Sequence, residues 1–279
     1  MTKIDLDVNN VYCVGDLHGN FNAINGLIKG ALNMPQLTDC AIVFCGDIGF
    51  GFEKENYYQQ ILPKLEKLCK KNNVYCIFIR GNHDDPSYFD GKRINYTHIK
   101  AVQDYTVLSI SNFDKDNILC VGGAISIDRR YRLKIAQENV DAYKVYHHDE
   151  LSPEVEKYLR RGYWIDEPPV FDLEKISELK DMNITYVCTH TCPSFCYPFT
   201  KEGISYWINS DPELKGDIDN ERQVMTNIKE ALINDGHKLK KWVYGHYHRH
   251  YEDNIDGISY ILLNMVVNGK FDCFELISY

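Results

Sequence analysis

Residues 11–19, Val-Tyr-Cys-Val-Gly-Asp-Leu-His-Gly (VYCVGDLHG), join a short apolar run to a polar motif that contains an aspartate and a histidine. The apolar run is typical of a buried β-strand. The glycines before and after the acid let the backbone turn sharply as it leaves that strand. The segment therefore predicts a strand whose carboxyl end presents Asp16 and His18.

The same arrangement, an apolar run followed by a polar motif, recurs four times along the chain. AIVFC (41–45) leads to GDIG (46–49), and YCIFIR (75–80) leads to GNHDD (81–85). YVCT (186–189) leads to His190, and WVYG (242–245) leads to His246-Tyr247-His248. Segments with helical periodicity lie between the runs, so the pattern predicts an α/β fold. In such a fold the carboxyl ends of strands gather at one crevice, where these motifs would converge.

The side chains in these motifs are aspartate, asparagine and histidine. They are the ligands that suit manganese, iron or zinc at an open hydrolytic site, and no thiolate joins them. A single Gly-Asp pair is usually a turn, and a lone histidine is usually structural. Five such motifs, each after a strand, predict a metal site instead.

The order GDLHG, GDIG, GNHD, TH and GHYH resembles the calcineurin-like metallophosphoesterase superfamily, over about residues 11–276. The resemblance implies a four-layer α/β/β/α sandwich, in which two mixed sheets are flanked by helices. It also implies two divalent transition-metal ions per chain, which would be manganese, iron or zinc. These ions would share a bridging hydroxide that attacks a phosphomonoester or a phosphodiester.

The family's metal ligands transfer to this chain residue by residue. Asp16, His18 and His248 would bind one metal, Asn82, His190 and His246 would bind the other, and Asp47 would bridge both. Positions 246 and 248 would point to the same face if the chain there is extended.

Three further residues are candidates for catalysis: His83, Asp84 and Arg132. The resemblance places His83 beside the leaving-group oxygen, as a proton donor or hydrogen-bond partner, although it could instead be a structural histidine. Asp84 completes the GNHD motif. Arg132 is a candidate phosphate ligand because a guanidinium fork fits two phosphoryl oxygens. The alternative for Arg132 is a solvated charge or an ion pair with Asp128.

The surrounding motifs indicate a branch within the superfamily. The phosphoprotein-phosphatase branch carries an acidic residue and an arginine shortly after its second Gly-Asp, where this chain has Phe50 and Gly51. The stretch 122–128, followed by arginines, is instead similar to a motif of bacterial and phage metallophosphatases. A tryptophan and a glutamate often follow it in that group, and Trp164 and Glu167 are the candidates here. These features favour the bacterial and phage branch, and a Ser/Thr protein phosphatase is kept as the alternative function.

Nine apolar runs are predicted to be strands: Val11–Val14, Ala41–Cys45, Tyr75–Ile79, Tyr105–Ile110, Ile118–Val121, Thr185–Thr189, Trp242–Tyr244, Ser259–Asn264 and Phe271–Leu276. Asn268-Gly269 lies between the last two and is a strong hairpin signal. Three apolar stripes at helical spacing predict core-facing helices within 21–32, 58–68 and 224–232, the first with Asn20 as a candidate N-cap.

Domain organisation follows from what the chain lacks. There is no repeat of fixed period and no low-complexity linker, which predicts one domain over residues 1–279. Two long irregular stretches, 129–169 and 193–217, are predicted to be active-site insertions. The aromatic residues of 193–217 would either line a leaving-group pocket or pack the loop onto the sandwich.

The charge balance narrows the choice of partner. The formal net charge is -9, from 40 acidic and 31 basic residues, which argues against affinity based on nucleic-acid phosphates. A nuclease of the same superfamily is thus a weaker alternative, and the expected partner is a small or protein-borne phosphate ester. The first ten residues have no apolar signal core, and no run approaches the roughly 18 apolar residues of a membrane helix. These features predict a cytoplasmic protein that does not enter a membrane.

Other reactive side chains receive structural interpretations. Several of the ten cysteines lie in apolar strand runs, as small buried hydrophobes do. Cys188, Cys192 and Cys196 recur every four residues, but their spacing is not typical of zinc ligands. His250 is interpreted as a surface histidine, with a supporting role at the metal site as the alternative, and Arg129 and Arg130 receive no role. A non-catalytic scaffold should have lost metal ligands, and here every ligand is present, so an enzyme is predicted.

Overall fold

The computed structural model describes residues 2–30, 35–111, 116–147 and 151–278. The strands among them are β1 (Lys3–Leu6), β2 (Asn10–Val14), β3 (Cys40–Phe44), β4 (Val74–Phe78), β5 (Ile99–Ala101), β6 (Thr106–Ile110), β7 (Asn117–Val121), β8 (Ile184–Thr189), β9 (Lys241–Tyr244), β10 (Tyr251–Ile255), β11 (Ile258–Leu262) and β12 (Cys273–Ser278). The helices are α1 (Phe21–Lys29), α2 (Glu55–Asn72), α3 (Arg129–His147), α4 (Pro153–Leu159), α5 (Leu173–Ser177), α6 (Ile204–Ile208) and α7 (Leu214–Asn234).

The strands form two mixed sheets. A five-stranded sheet has the order β12-β2-β3-β4-β5, in which β12 is antiparallel to β2 and the other pairs are parallel. A seven-stranded sheet has the order β1-β6-β7-β8-β9-β11-β10, with antiparallel pairs at β6–β7 and β10–β11. The predicted pair of mixed sheets is therefore confirmed.

Three apolar layers show how the sheets and helices stack. Strand β3 is buried on both faces, which explains why its sequence is apolar without alternation. Its Ile42 and Phe44 pack with α1 and α2, whereas Ala41 and Val43 pack against the seven-stranded sheet. A third layer joins the outer face of the seven-stranded sheet to Met225 of α7. The order helix, sheet, sheet, helix confirms the four-layer sandwich.

The predicted apolar stripes lie on α1, α2 and α7, with their buried residues in the core. Helix α1 ends before Gly30, and the predicted stripe residues Ala31 and Leu32 lie outside the described part of the chain. Asn20 directly precedes α1 as expected, but its side chain makes no capping hydrogen bond. The amphipathic pattern located the helices, and Asn20 occupies the predicted N-cap position without forming the side-chain hydrogen bond of a cap.

One hairpin was placed wrongly. Asn268-Gly269 does form a tight turn, with reciprocal backbone hydrogen bonds between Val267 and Lys270, but β11 and β12 belong to different sheets. The hairpin in this region is β10–β11, which turns at Asp256-Gly257. The sequence did not reveal β10 because its residues are exposed and carry no apolar alternation.

The two predicted insertions contain helices. Residues 129–169 include α3 and α4, and residues 193–217 include α6 and the start of α7. No helix of the described segments is long and apolar enough to cross a membrane. The core clusters extend over both sheets, which supports our proposal of a single domain.

Candidate metal centre

The seven predicted ligands meet where both sheets end. Asp16 and His18 follow β2, Asp47 follows β3 and Asn82 follows β4, all in the five-stranded sheet, whereas His190 follows β8 and His246 and His248 follow β9 in the seven-stranded sheet. Their donor atoms form two groups whose members lie within 4.8 Å of one another. The first group contains Asp16, His18, Asp47 and His248, and the second contains Asp47, His190 and His246. Asp47 is thus the residue that both groups share.

The first group has the pattern of a cation site. Nε2 of His248 lies 3.1 Å from Oδ2 of Asp16 and 3.1 Å from Nε2 of His18. Oδ2 of Asp16 is buried and accepts no hydrogen bond from the described residues. Nitrogen and oxygen donors therefore converge around a point that carries negative charge, and this donor set fits a borderline divalent metal.

The second group is oriented by the backbone. Nδ1 of His190 donates to the carbonyl oxygen of Cys45 at 2.8 Å, so Nε2 is the ring nitrogen that would bind a cation. That Nε2 lies 3.2 Å from Oδ1 of Asp47 and 3.0 Å from Oδ1 of Asn82. Asn82 therefore joins this group, as the resemblance implied.

Asp47 is prepared to carry a negative charge. Burial acts to raise the pKa of Asp47, but the neighbouring His190 and His83 hold the pKa well below its usual range. Oδ1 of Asp47 also accepts a hydrogen bond from the backbone N–H of His83 at 2.8 Å. A carboxylate held in its ionised form between two donor groups is the species that can bridge two cations.

Four of the ligands have a left-handed backbone, which non-glycine residues rarely adopt. The φ angles are 47° for His18, 51° for Asp47, 71° for His246 and 52° for His248. Strained backbone of this kind clusters at functional sites. The sequence argument assumed that the chain is extended at 246–248, and that assumption was wrong. The two imidazoles reach the site from residues with a left-handed backbone.

Two glycines allow the ligand loops to touch. A Cβ at Gly81 would lie 2.1 Å from Oδ1 of Asp47, and a Cβ at Gly245 would lie 2.3 Å from Oδ1 of Asp16. Both separations are shorter than real Cβ contacts allow, so neither position accepts a side chain without movement. The glycines of the GNHD and GHYH motifs thus leave the space that the two carboxylates occupy.

A sequence model of calcineurin-like phosphoesterases matches residues 10–250. The chain belongs to the calcineurin-like phosphoesterase family. Membership implies hydrolysis of a phosphoric ester and divalent metal ions, for which the Asp, Asn and His groups above are the candidates.

Solved structures similar to this calcineurin-like phosphoesterase have low sequence identity to it. A dimetal phosphatase from Danio rerio is 12% identical, with a TM-score of 0.42, over 93% of this chain and 88% of that one. A phosphopantetheinyl hydrolase from Mycobacterium tuberculosis is 12% identical, with a TM-score of 0.37, over 92% and 89%. A protein serine/threonine phosphatase from Saccharomyces cerevisiae is 13% identical, with a TM-score of 0.37, over 95% and 71%. No curated protein matches the chain significantly. These values identify no substrate.

His83 and Arg132 are in contact at the edge of this phosphoesterase centre. Nη1 of Arg132 lies 3.1 Å from Nδ1 of His83, and Nη2 lies 3.3 Å from Nε2. The guanidinium also donates to Asp128 at 2.6 Å and to the Gly162 carbonyl at 2.7 Å. Burial, followed by the charge of Arg132, outweighs the opposing effect of Asp47 and lowers the pKa of His83 to about 4. The Asp128 ion pair and the approach to the site, stated as alternatives for Arg132, are both present.

Asp84 holds two motifs together. Its Oδ1 accepts from the backbone N–H groups of Gly49 and Phe50, at 2.7 Å and 2.9 Å. Its Oδ2 accepts from those of Ile48 and Gly81, at 3.1 Å and 2.8 Å. The carboxylate thus ties the GDIG loop to the GNHD loop, and a catalytic role for Asp84 stays a prediction without a contact to support it.

The residues that replace the protein-phosphatase pair have other uses here. Phe50 is fully buried and packs among aromatic rings, stacking on Tyr88. A Cβ at Gly51 would lie 2.7 Å from Cβ of Asp85 and 2.9 Å from the Trp164 ring. An arginine side chain has no room at position 51 in this phosphoesterase.

The segments 129–169 and 193–217 contact each other. Arg129 pairs with Asp211 and with Asp217, at 2.6 Å each, and Arg130 pairs with Asp211 at 3.2 Å. These contacts give structural roles to two arginines that the sequence left unassigned. His250 is half exposed and its Nδ1 lies 2.8 Å from Oδ2 of Asp272, which fits the surface interpretation.

The aromatic residues of 193–217 divide into two sets. Phe195 and Tyr197 pack against the seven-stranded sheet, and Trp207 packs beside α7. Phe199 and Tyr206 are exposed, at 71% and 72%. Packing of the loop onto the sandwich is therefore seen for the first set, and lining a leaving-group pocket stays a prediction for the exposed pair.

The run Cys188, Cys192 and Cys196 does not form one site. Instead, the sulfur atoms of Cys13, Cys45 and Cys188 gather within 4.8 Å of one another, between the sheets and just below the ligands. All three side chains are buried. They occupy the apolar core, as predicted for small hydrophobes.

Sequence reasoning missed two side chains at the centre. Nζ of Lys201 lies 3.1 Å and 3.0 Å from the two ring nitrogens of His246, and burial lowers the pKa of Lys201. Ser126 contacts Asn82. The GGAISID stretch pointed to the region of Ser126, but nothing in the sequence distinguishes Lys201 from any other loop lysine.

Proposed function

We propose that the chain is a dinuclear, metal-dependent phosphoesterase that acts on small or protein-borne phosphate esters. The observation that carries this proposal is the pair of donor groups that share Asp47. When bound, the two cations supply Lewis-acid chemistry toward water and phosphoryl oxygens. The nitrogen and carboxylate donors fit manganese, iron or zinc.

The protein's own groups would position the ester around that centre. His83 is 18% exposed and its Nε2 lies 3.9 Å from Oδ2 of Asp47. With its lowered pKa the imidazole is neutral at pH 7, so it would donate a hydrogen bond to the leaving-group oxygen through a ring N–H. The transfer of a proton from an imidazolium is less favourable at this pH.

Two basic side chains flank the ligands, one from each inserted segment. The guanidinium of Arg132 contacts the ring of His83, and the amine of Lys201 contacts the ring of His246. A phosphomonoester carries more negative charge than a diester, and both groups are suited to meet it. This arrangement supports monoester hydrolysis with a permissive choice of leaving group.

The structural details weigh against the Ser/Thr protein-phosphatase alternative. That branch uses an acid and an arginine where this chain has a buried Phe50 and a crowded Gly51. The cationic contacts here come instead from other segments. We therefore favour a small or permissively recognised ester over a specific phosphoprotein.

The test is a substrate screen on protein that is first stripped with a chelator and then reloaded with Mn²⁺, Fe²⁺ or Zn²⁺. The panel contains p-nitrophenyl phosphate, bis-p-nitrophenyl phosphate, nucleotides and phosphopeptides. We expect metal-dependent hydrolysis of the artificial monoester, with the artificial diester cleaved at a comparable rate. A chain that holds two metals and cleaves no member of the panel would contradict the proposal, and a strong preference for phosphopeptides would restore the alternative.

A further inference from the structure

The side chain of Asn82 begins a chain of hydrogen bonds between three buried residues. Nδ2 of Asn82 donates to Oγ of Ser126 at 2.9 Å, and that hydroxyl donates to Oε2 of Glu167 at 2.8 Å. The backbone N–H of Ser126 donates to Oε1 of Glu167 at 2.7 Å. Asn82, Ser126 and Glu167 are each 1% exposed, so water does not compete for these contacts.

When Glu167 is ionised, the chemistry of these groups sets the direction of every bond. Burial raises the pKa of Glu167 to about 8, whereas the two hydrogen bonds from Ser126 favour its ionised form. In that form Glu167 only accepts, and both of its oxygens face Ser126, so the hydroxyl hydrogen points to Glu167. The electron pairs of Oγ are then left to accept from Asn82. Asn82 must therefore present its NH₂ group to Ser126 and its Oδ1 to the metal centre. We infer that Glu167 and Ser126 are positioning residues that keep the oxygen of the Asn82 amide directed at a cation.

The orientation matters because the two ends of an amide differ as ligands. The oxygen offers electron pairs to a cation, whereas the nitrogen carries two hydrogens and offers none. A reversed Asn82 would point N–H groups at the metal. The inference rests on the proposed function, since it concerns the cation that Asn82, His190 and His246 would share with Asp47.

The position of Glu167 is itself fixed by the loop that carries Asn82. Nη1 of Arg80 donates to the carbonyl oxygens of Asp166 and Glu167, at 3.1 Å and 2.7 Å. Nη2 of Arg80 donates to the carbonyl oxygen of Pro168 at 3.3 Å. Arg80 lies two residues before Asn82, so one short segment supplies the ligand and also holds the residue that orients it.

Glu167→Gln tests the direction of the chain because it keeps the shape and changes one acceptor into a donor. The backbone N–H of Ser126 is a fixed donor and requires the glutamine oxygen, so the new NH₂ group faces the Ser126 hydroxyl. That hydroxyl then accepts from Gln and turns its hydrogen toward Asn82, which favours the reversed amide. We expect about 10–100-fold weaker binding of the cation at Asn82, the range seen when groups that orient metal ligands are changed. The cation at Asp16, His18 and His248 should keep its wild-type affinity.

The readout is metal content, independent of hydrolysis. The protein is dialysed against graded free Mn²⁺ and its metal per chain is measured by elemental analysis, while thermal unfolding of the metal-free forms detects folding defects. Ser126→Ala interrupts the chain, so adding Glu167→Gln to it should cause no further loss of affinity. Glu221→Gln is a control of matched burial, because Glu221 is 2% exposed and accepts from Ile125 and Thr191 rather than from the Asn82 chain.

Selective weakening of one cation in Glu167→Gln, absent in Glu221→Gln and not additive with Ser126→Ala, supports the inference. Wild-type affinity at both sites, equal weakening of both cations, or the same selective loss in Glu221→Gln overturns it. If the wild type binds two metals but cleaves no ester, the proposed function fails while the metal titration still decides this inference.

Discussion

Gly81→Ala is the sharpest test of how the bridging carboxylate is held. The added Cβ would lie 2.1 Å from Oδ1 and 2.2 Å from the backbone nitrogen of Asp47. Since real Cβ atoms do not approach within 3.0 Å of such neighbours, Asp47 and Gly81 must separate by about 1 Å. Gly81 does not have a positive φ, so the conformation itself accepts alanine and the cost is steric.

The separation has two measurable effects. Forcing an extra carbon into a packed site costs about 1–3 kcal/mol of stability, which should appear as a lower unfolding temperature of the metal-free protein. Displacing Asp47 should also weaken both cations, because Asp47 is in both donor groups. We expect about a 10–100-fold loss of affinity for each, by analogy with other changes around metal ligands.

The matched control is Gly216→Ala, in the exposed part of α7, where an added Cβ meets nothing within 4 Å. That change should leave the stability unchanged or raise it by at most about 0.5–1 kcal/mol, the cost of glycine in a helix interior, because Gly216 lies in the first turn of α7. Metal affinity is measured by competition with a chromogenic chelator. Two metals bound with wild-type affinity in Gly81→Ala would refute the reasoning, because the close packing of Gly81 on Asp47 would then not position the bridge.

The other expectations concern individual side chains at the centre. Well-loaded wild type should approach two metals per chain, and Asp47→Asn should weaken both sites together, since a neutral amide bridges two cations poorly; elemental analysis that saturates at one metal would contradict this. His83→Ala should slow hydrolysis by about 10²–10⁴-fold with near-normal metal content, and the penalty should shrink for nitrophenyl esters; equal losses on good and poor leaving groups would exclude the leaving-group role. Arg132→Ala should lower monoester turnover more than diester turnover. An unchanged ratio of the two rates would show that Arg132 has a structural role and does not bind phosphate. Lys201→Ala should also raise KM for monoesters while metal binding stays intact, and a KM equal to that of the wild type would assign Lys201 to loop structure.

The ligands were predictable from sequence because each directly follows a strand that is buried on both faces. Asp47, for example, follows AIVFC, whose side chains alternate between two apolar layers. Such strands are short, continuous and apolar, so their ends can be recognised. Three edge strands were missed: β1 and β10 because their residues are largely exposed, and β5 because it has only three residues.

Side chains that reach the centre from distant loops were harder to predict. Lys201 reaches His246 from the loop before α6, and Glu167 reaches Ser126 from a loop whose carbonyl oxygens accept hydrogen bonds from Arg80. These contacts depend on tertiary packing rather than on local pattern. The left-handed backbone of His18, Asp47, His246 and His248 was equally hidden, because Asp and His, although enriched in that region, adopt it at only a small share of positions.

The ligands are divided between the two sheets, and this division links metal binding to the cohesion of the sandwich. A cation held jointly by Asp47 and His190 would cross-link two sheets that otherwise pack mainly through apolar side chains, with a few hydrogen bonds such as that from His190 to Cys45. Whatever free energy the ions contribute on binding is then also free energy that resists separation of the sheets. Removal of the metals by a chelator should loosen the contact between the two sheets at the end that carries the ligands. The thiols of Cys13, Cys45 and Cys188 lie between the sheets next to that end. The rate at which these buried cysteines are alkylated, with and without bound metal, would therefore report how tightly the two sheets are packed.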